Sequence, residues 1–138
     1  MKLSDIRAKA VLTGIAVDAI GSVCVGVLLG IAIGVAATVQ GNPTREHIIA
    51  LKNYPPIALV GLFGTILSTV LGSYLAARMS RPYGSSNALA VGITSTMLAI
   101  VIALKNPGIA PFWKLSLGLV LTIPAAWLGG RIDKERGR

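Results

Sequence analysis

Asp18 is the only acidic residue within the apolar stretches of the sequence, and it is the clearest candidate for chemistry. A carboxylate among apolar residues is costly unless it is paired or used, so it indicates either a structural ion pair or a path for protons or cations. We expect an ion pair with Arg78 or Arg131, which lie at the ends of neighbouring apolar stretches. A path is the alternative, and it would need further polar groups. The available hydroxyl residues are Ser22, Ser68, Thr69, Thr94, Ser95, Thr96 and Thr122.

The other reactive residue types do not form a catalytic or metal-binding set. His47 is the sole histidine and Cys24 the sole cysteine, whereas a zinc site needs three or four such ligands and a triad needs a nucleophile beside its base. The sequence also has no paired carboxylates and no phosphate-binding glycine loop. We therefore expect neither enzymatic activity nor a metal site nor a cofactor.

Small residues recur every four positions in the first two apolar stretches. Residues four apart share one face of a helix, and small side chains there let a second helix backbone approach closely in lipid. Two interpretations stay open: the face packs against the chain's own helices, or it docks against another subunit. The first helix carries Ser22, Gly26, Gly30 and Gly34 in this series, and the second carries Gly64, Ser68 and Gly72.

The elements that carry these residues are apolar enough for a membrane. Of the 138 residues, 54% are hydrophobic and 13% are charged, against about 25% charged in a typical soluble domain. The charges lie almost entirely between long uncharged windows, as in lipid-facing segments joined by polar loops. The formal net charge of +8 forms no basic stripe with interleaved aromatics, so we expect the lipid bilayer rather than nucleic acid as its partner.

Four apolar runs predict an all-α integral membrane protein, a four-helix bundle forming a single domain over residues 1–138. The first run is longer than a hydrocarbon core of about 30 Å. Because a carboxylate costs least at an interface, Asp18 should mark where the bilayer begins. The predicted segments are a cytoplasmic helical extension (4–16), spans at 17–39, 56–77, 87–105 and 112–130, an outer amphipathic loop (40–55) and a cytoplasmic tail (131–138).

Basic residues are distributed unevenly between the two sides of these spans. Nine lie on the side of the chain termini and four on the other side. Cytoplasmic loops carry the excess of Lys and Arg, so we expect a multi-pass protein of the plasma (inner) membrane with both termini in the cytoplasm. The nine are Lys2, Arg7, Lys9, Arg78, Arg81, Arg131, Lys134, Arg136 and Arg138, and the four are Arg45, Lys52, Lys105 and Lys114.

An internal repeat is visible. The pentapeptide Ile-Ala-Leu-Lys-Asn stands at residues 49–53 and again at 102–106, each time before prolines and an apolar run. A weaker echo relates residues 65–73 to 122–130, with the register shifted by four residues relative to the first. Two tandem helical hairpins in the same orientation would explain both echoes, as would convergence on common membrane residues.

Two functions are consistent with these features of the sequence. The first is a structural or accessory subunit that packs, through its glycine stripe, against a second copy of itself or a larger membrane complex. The alternative is a small oligomeric transporter or channel with Asp18 in its pathway. The first is favoured because little besides helix-packing surface is encoded and the loops are too short for a soluble domain.

Overall fold

The computed structural model describes residues 6–106 and 112–136 and is all-α over that part of the chain. Four of its five helices are long and apolar enough to cross a membrane, as the four apolar runs predict. The first residues of the predicted extension and the last two of the predicted tail lie outside the described residues. The helices are α1 (Ala8–Val39), α2 (Arg45–Asn53), α3 (Pro55–Met79), α4 (Gly84–Lys105) and α5 (Phe112–Arg136).

The turn between α1 and α2 has clear local causes. Gly41 follows the last turn of α1 with a φ of 71°, a left-handed conformation that glycine adopts without steric cost. Thr44 caps α2, since its hydroxyl accepts a hydrogen bond from the His47 backbone N–H at 3.4 Å. The predicted amphipathic loop, residues 40–55, thus contains a helix of nine residues. Pro55 then opens α3 at a position where a missing N–H costs nothing.

The central helix is α3, which packs against α1, α4 and α5. α1 also packs against α4, and α4 against α5, whereas α1 and α5 make no substantial contact in the described residues. α1 and α4 run in one direction and α3 and α5 in the other. We call the end where α1 begins the termini end, and the end where α2 joins α3 the α2 end.

Small residues fill the interior and large apolar side chains cover the exterior. The largest fully buried apolar side chain among the described residues is Val91, and most other buried positions are alanine, glycine or serine. Leu28, Phe63 and Phe112 are among many exposed apolar side chains, with Phe112 85% exposed. Close packing through small residues under an apolar surface is the arrangement that helices adopt in lipid.

α1 is the longest helix, and its extra length lies at the α2 end. Residues 8–16, for which the sequence predicts a cytoplasmic extension, contact the other helices on one side, where Gly14 lies against Gly72, Ala76 and Val91. Beyond Asp18, α1 continues to Val39, about 31 Å at 1.5 Å per residue. From Ser95, which Asp18 contacts, α4 continues only to Lys105, about 15 Å. α2 packs against this longer part of α1.

Candidate functional site

Asp18 is a buried junction between three helices. Its side chain is only 7% exposed. The Thr69 hydroxyl of α3 donates to Oδ1 at 2.9 Å, and the Ser95 hydroxyl of α4 donates to Oδ2 at 2.5 Å. Each carboxylate oxygen therefore has one hydroxyl partner, and the pair of bonds ties α1 to both neighbouring helices.

Two glycines bring Asp18 to this junction. A Cβ built on Gly72 would collide with the Gly14 carbonyl oxygen and lie 3.2 Å from the Asp18 Cβ. A Cβ on Gly14 would lie 2.8 Å from the Gly72 carbonyl oxygen and 2.7 Å from Val91 Cγ2. Because these are largely backbone contacts, α1 and α3 approach this closely only with glycine at both positions.

The expected ion pair between Asp18 and Arg78 or Arg131 is not formed. Among the described residues, no basic side chain pairs with the Asp18 carboxylate within 4.0 Å. Arg131 pairs with Glu135 at 2.8 Å on an exposed face of α5 and stacks on Trp127 with 5.3 Å to the ring centroid. Arg78 is exposed near the end of α3, nine residues beyond Thr69, or about 13 Å along the helix.

A different ion pair joins the helices at the termini end. Arg81, in the turn between α3 and α4, binds Asp133 of α5 through Nη2 to Oδ1 at 2.6 Å and Nε to Oδ2 at 3.0 Å. Asp133 is buried and the Arg81 side chain is half exposed. The hydrogen bonds that Arg81 donates to Asp133, and then the negative charge of Asp133, raise the pKa of the Arg81 guanidinium above its ordinary value. Arg81 therefore keeps its charge at any physiological pH.

Asp18 lies deep along the helices rather than at their ends. It is ten residues after the start of α1, and its partner Thr69 is ten residues before the end of α3. Both intervals correspond to about 15 Å, half of a hydrocarbon core of about 30 Å. The interfacial position that the sequence suggested would require the helices to project about 15 Å beyond the lipid at the termini end.

A cavity of about 400 Å³ adjoins the carboxylate, and we call it the inner cavity. Lys114 of α5 also lines it, and Lys114 Nζ lies beside Gly61, about 12 Å along α3 from Thr69. The cavity thus has a carboxylate at one end and an amino group at the other. Its remaining walls include the hydroxyl residues Ser22, Thr65 and Thr122 and the apolar residues Ile15, Ala19, Leu62, Ile66, Leu98 and Leu119.

The two predicted small-residue series behave differently. Gly64, Ser68 and Gly72 of α3 all lie against α1: a Cβ on Gly64 would lie 2.6 Å from Val25 Cγ1, and Ser68 Oγ would lie 2.6 Å from a Cβ on Gly21. On α1, however, the contacting residues are not the predicted ones. A Cβ on Gly26, Gly30 or Gly34 would meet nothing within 4 Å among the described atoms. The residues of α1 that face α3 are Gly14, Asp18, Gly21, Val25 and Leu29.

Gly26 and Gly30 line a second hollow of about 320 Å³, which we call the outer groove. It lies toward the α2 end, where α1 and α5 are apart. Lys52, Gly61 and Lys114 also line it. The outer groove and the inner cavity share Ser22, Thr65 and Lys114 in their walls, so the two hollows adjoin.

The glycines that matter for the α1–α3 contact were missed in the sequence, although a signal for them exists. Gly14, Asp18, Gly21 and Val25 follow one another at intervals of four, three and four residues, the spacing of a helix face that packs on a neighbour. The regular interval of four residues instead predicts a packing face at Gly26, Gly30 and Gly34. Arg81 and Asp133 gave no local signal, because they are 52 residues apart.

Comparison with known proteins gives no match, since no protein family, no curated protein and no solved structure is similar to this chain at a significant level. Within the described residues, no group of three or more His, Cys, Asp or Glu side chains comes together as a metal site would require. The features of the described residues that bear on function are therefore the open glycine face of α1 and the buried carboxylate of Asp18.

Proposed function

We propose that this chain is a structural or accessory subunit of a membrane assembly, and that α1 provides its association face. The observation that carries the proposal is the open series Gly26, Gly30 and Gly34, which no described atom would approach even if each glycine had a Cβ. The other α1 glycines of the span, Gly14 and Gly21, are both closely packed. The helix group therefore uses one glycine face of α1 and leaves the second available.

The surroundings of the open face suit a partner helix. The outer groove places Gly26 and Gly30 of α1 opposite Gly61 of α3, so a helix lying there would meet backbone on two sides. Glycine in a helix interior costs about 1 kcal/mol relative to alanine. Three such residues on an unused face are a cost that close contact with another helix offsets.

Replacing Gly30 by leucine tests this proposal. The side chain would enter open space in the monomer, so we expect normal folding with assembly weakened at least about tenfold, or about 1.4 kcal/mol. The matched control is Ala32→Leu, at an exposed position about 200° further around the helix. The measurement is native mass spectrometry after extraction in mild detergent. A lone homo-oligomer would identify a second copy as the partner, and a stoichiometric foreign protein would identify a larger complex.

Two outcomes would contradict the proposal. One is a wild-type protein that is extracted from its own membrane, in mild detergent or directly into nanodiscs, with neither a second copy nor a foreign protein bound. The other is a Gly30→Leu variant that assembles as the wild type does. If Ala32→Leu disrupts assembly equally, bulk on α1 rather than the glycine face is responsible.

We also propose that the termini end faces the cytoplasm and that the protein resides in the plasma (inner) membrane. The support is the distribution of charge, since nine of the thirteen basic residues lie on that side and basic residues prefer the cytoplasmic side. If the bilayer begins near the last residue of α3 and the first residue of α4, Asp18 lies close to the centre of the bilayer.

We propose further that the chain consists of two tandem helical hairpins in the same orientation. α1 runs parallel to α4 and α3 runs parallel to α5, as two hairpins in one orientation require. Each hairpin is also closed by small residues: Gly14 meets Gly72 in the first, and Gly92 meets Ala126 in the second. The exact pentapeptide repeat adds support from the sequence.

A second candidate function is transport of a proton or a small cation through the inner cavity. The observation that favours it is the depth and burial of Asp18, whose carboxylate opens onto that cavity without a basic partner among the described residues. Ionisable groups at such depth are costly and commonly mark a path. If Asp18→Asn folds and leaves a flux into proteoliposomes unchanged, transport through Asp18 is excluded.

A further inference from the structure

We propose that the inner cavity binds a small organic cation, a protonated amine that carries an apolar group, with the ammonium against Asp18. This inference rests on the second function proposed above, because both use the inner cavity, and it adds the chemical class of the ligand. It concerns binding alone. Binding without flux would therefore leave it standing and would contradict only transport.

The Asp18 carboxylate has no counter-charge among the described residues. A buried carboxylate without a counter-charge is strongly disfavoured, and two neutral hydroxyl donors compensate only part of the lost hydration. Thr69 and Ser95 each occupy one carboxylate oxygen. Each oxygen keeps further acceptor capacity, and a bound cation supplies both the missing charge and the missing donors.

The basic residue in the wall of the inner cavity does not supply that counter-charge. Lys114 lines the same cavity, but its Nζ lies beside Gly61, nearer the α2 end than Thr69, at about 12 Å along the helix. A ligand in the cavity would therefore meet the carboxylate at one end and the amino group at the other. A cation is drawn to the Asp18 end.

The oxygens and the hydrocarbon in the cavity wall favour an organic cation over a metal ion. A bare metal ion such as calcium takes about six to eight oxygen ligands. Here the oxygens next to the carboxylate are hydroxyls, and much of the wall beyond them is hydrocarbon, including Ile15, Leu62 and Leu98. An ammonium group needs only about three acceptors, and an attached apolar group fits the hydrocarbon wall. A volume of about 400 Å³ lies within the usual range of small-ligand pockets.

The inner cavity is reached from the outer groove. In the part of the chain that the structure describes, α1 and α5 make no substantial contact, and the inner cavity continues into the outer groove past Ser22 and Thr65. In a bilayer this opening faces the lipid or a partner helix. An amine with an apolar group concentrates in the bilayer and reaches the opening from there.

Equilibrium binding of radiolabelled benzylamine, protonated at pH 7, tests the proposal on the full chain in lipid nanodiscs. We expect saturable binding with one site per chain and at least tenfold weaker affinity in Asp18→Asn. Glu135→Gln is the matched control, since Glu135 is an exposed carboxylate outside the cavity, and its affinity should equal that of the wild type. Benzyl alcohol, which lacks the charge, should not compete.

A second variant keeps the test decisive if Asp18→Asn fails to fold. Gly118 lines the cavity, and a Cβ there would lie 3.6 Å from Leu62 Cδ1, so Gly118→Leu fills space without touching the carboxylate. It should reduce benzylamine affinity several-fold while circular dichroism shows unchanged helix content.

Several results would overturn the proposal. They are the absence of saturable benzylamine binding to folded wild-type protein, equal binding by folded Asp18→Asn, and equal competition by benzyl alcohol. Displacement of benzylamine by millimolar sodium or potassium chloride would show an inorganic ion site instead. The displacement must exceed that caused by a matched magnesium chloride control.

Discussion

Ser73 of α3 and Ser80, which directly follows α3, show how differently buried hydroxyls contribute at the scale of single residues. Ser73 and Ser80 are both fully buried. The Ser80 hydroxyl donates to the Ala76 carbonyl at 2.6 Å, whereas the Ser73 hydroxyl has no hydrogen-bond partner among the described atoms. A buried hydroxyl that is left unpaired costs about 1–3 kcal/mol, and a satisfied one contributes about 1 kcal/mol.

We therefore predict opposite effects of the same substitution at these positions. Ser73→Ala should raise the free energy of unfolding by about 1 kcal/mol, because it removes an unpaired polar group. Ser80→Ala should lower it by about 1 kcal/mol, because it removes a made hydrogen bond. Denaturant titration in detergent, followed by circular dichroism, measures both. Equal changes in the two variants would show that Ser73 has a partner that the described atoms do not include.

Single residues were also where the sequence was least informative. Asp18 stood out because of its type and its apolar neighbours, and Thr69 and Ser95 were among seven hydroxyl candidates. Nothing in their spacing selected these two, since they are 51 and 77 residues from Asp18. The expected arginine partner followed from a general rule about charge, and hydroxyls contact the carboxylate instead.

At the scale of helices, the contact between α1 and α3 depends on glycine at particular positions. Gly72→Ala would drive a Cβ into the Gly14 carbonyl oxygen, so the two helices must separate. Overpacking of this kind costs about 1–3 kcal/mol. Gly26 is the matched control within α1, since a Cβ there meets nothing within 4 Å.

We predict that Gly72→Ala lowers the thermal unfolding midpoint of the monomer in detergent, while Gly26→Ala leaves it unchanged or raises it. The increase would reflect the better helix propensity of alanine, worth up to about 1 kcal/mol. Differential scanning fluorimetry on both variants compares them directly. A Gly72→Ala variant as stable as the wild type would mean that the α1–α3 approach is looser than the structure shows.

The helices themselves were predictable, and their register was not. Apolar length and the Pro and Gly residues that interrupt it predict four long apolar helices, which the structure has, because these signals are local. Which face of α1 meets α3 is a long-range property. The sequence offered two small-residue faces on α1, and only the less regular one, with Gly14 and Gly21, is used inside the chain.

At the scale of the whole molecule, the ends of the helix group differ in charge and in structure. The termini end carries the Arg81–Asp133 pair between the α3–α4 turn and α5. The α2 end carries the projecting part of α1 with α2 beside it. The Arg81–Asp133 pair lies at the end with most of the basic residues, where it holds the α3–α4 turn against α5.

This asymmetry predicts the outcome of reporter fusions. A reporter that folds only in the cytoplasm should be active after Arg138 and in the Arg81–Pro82 turn, and inactive at Asn42 in the turn before α2. The reason is that nine basic residues lie on the side of the first two sites and four on the side of the third. A reporter that works only after export should give the reverse pattern at the same three sites, which controls for expression. Agreement of Asn42 with the other two sites would contradict four spans, and export of the Arg138 fusion would contradict the orientation.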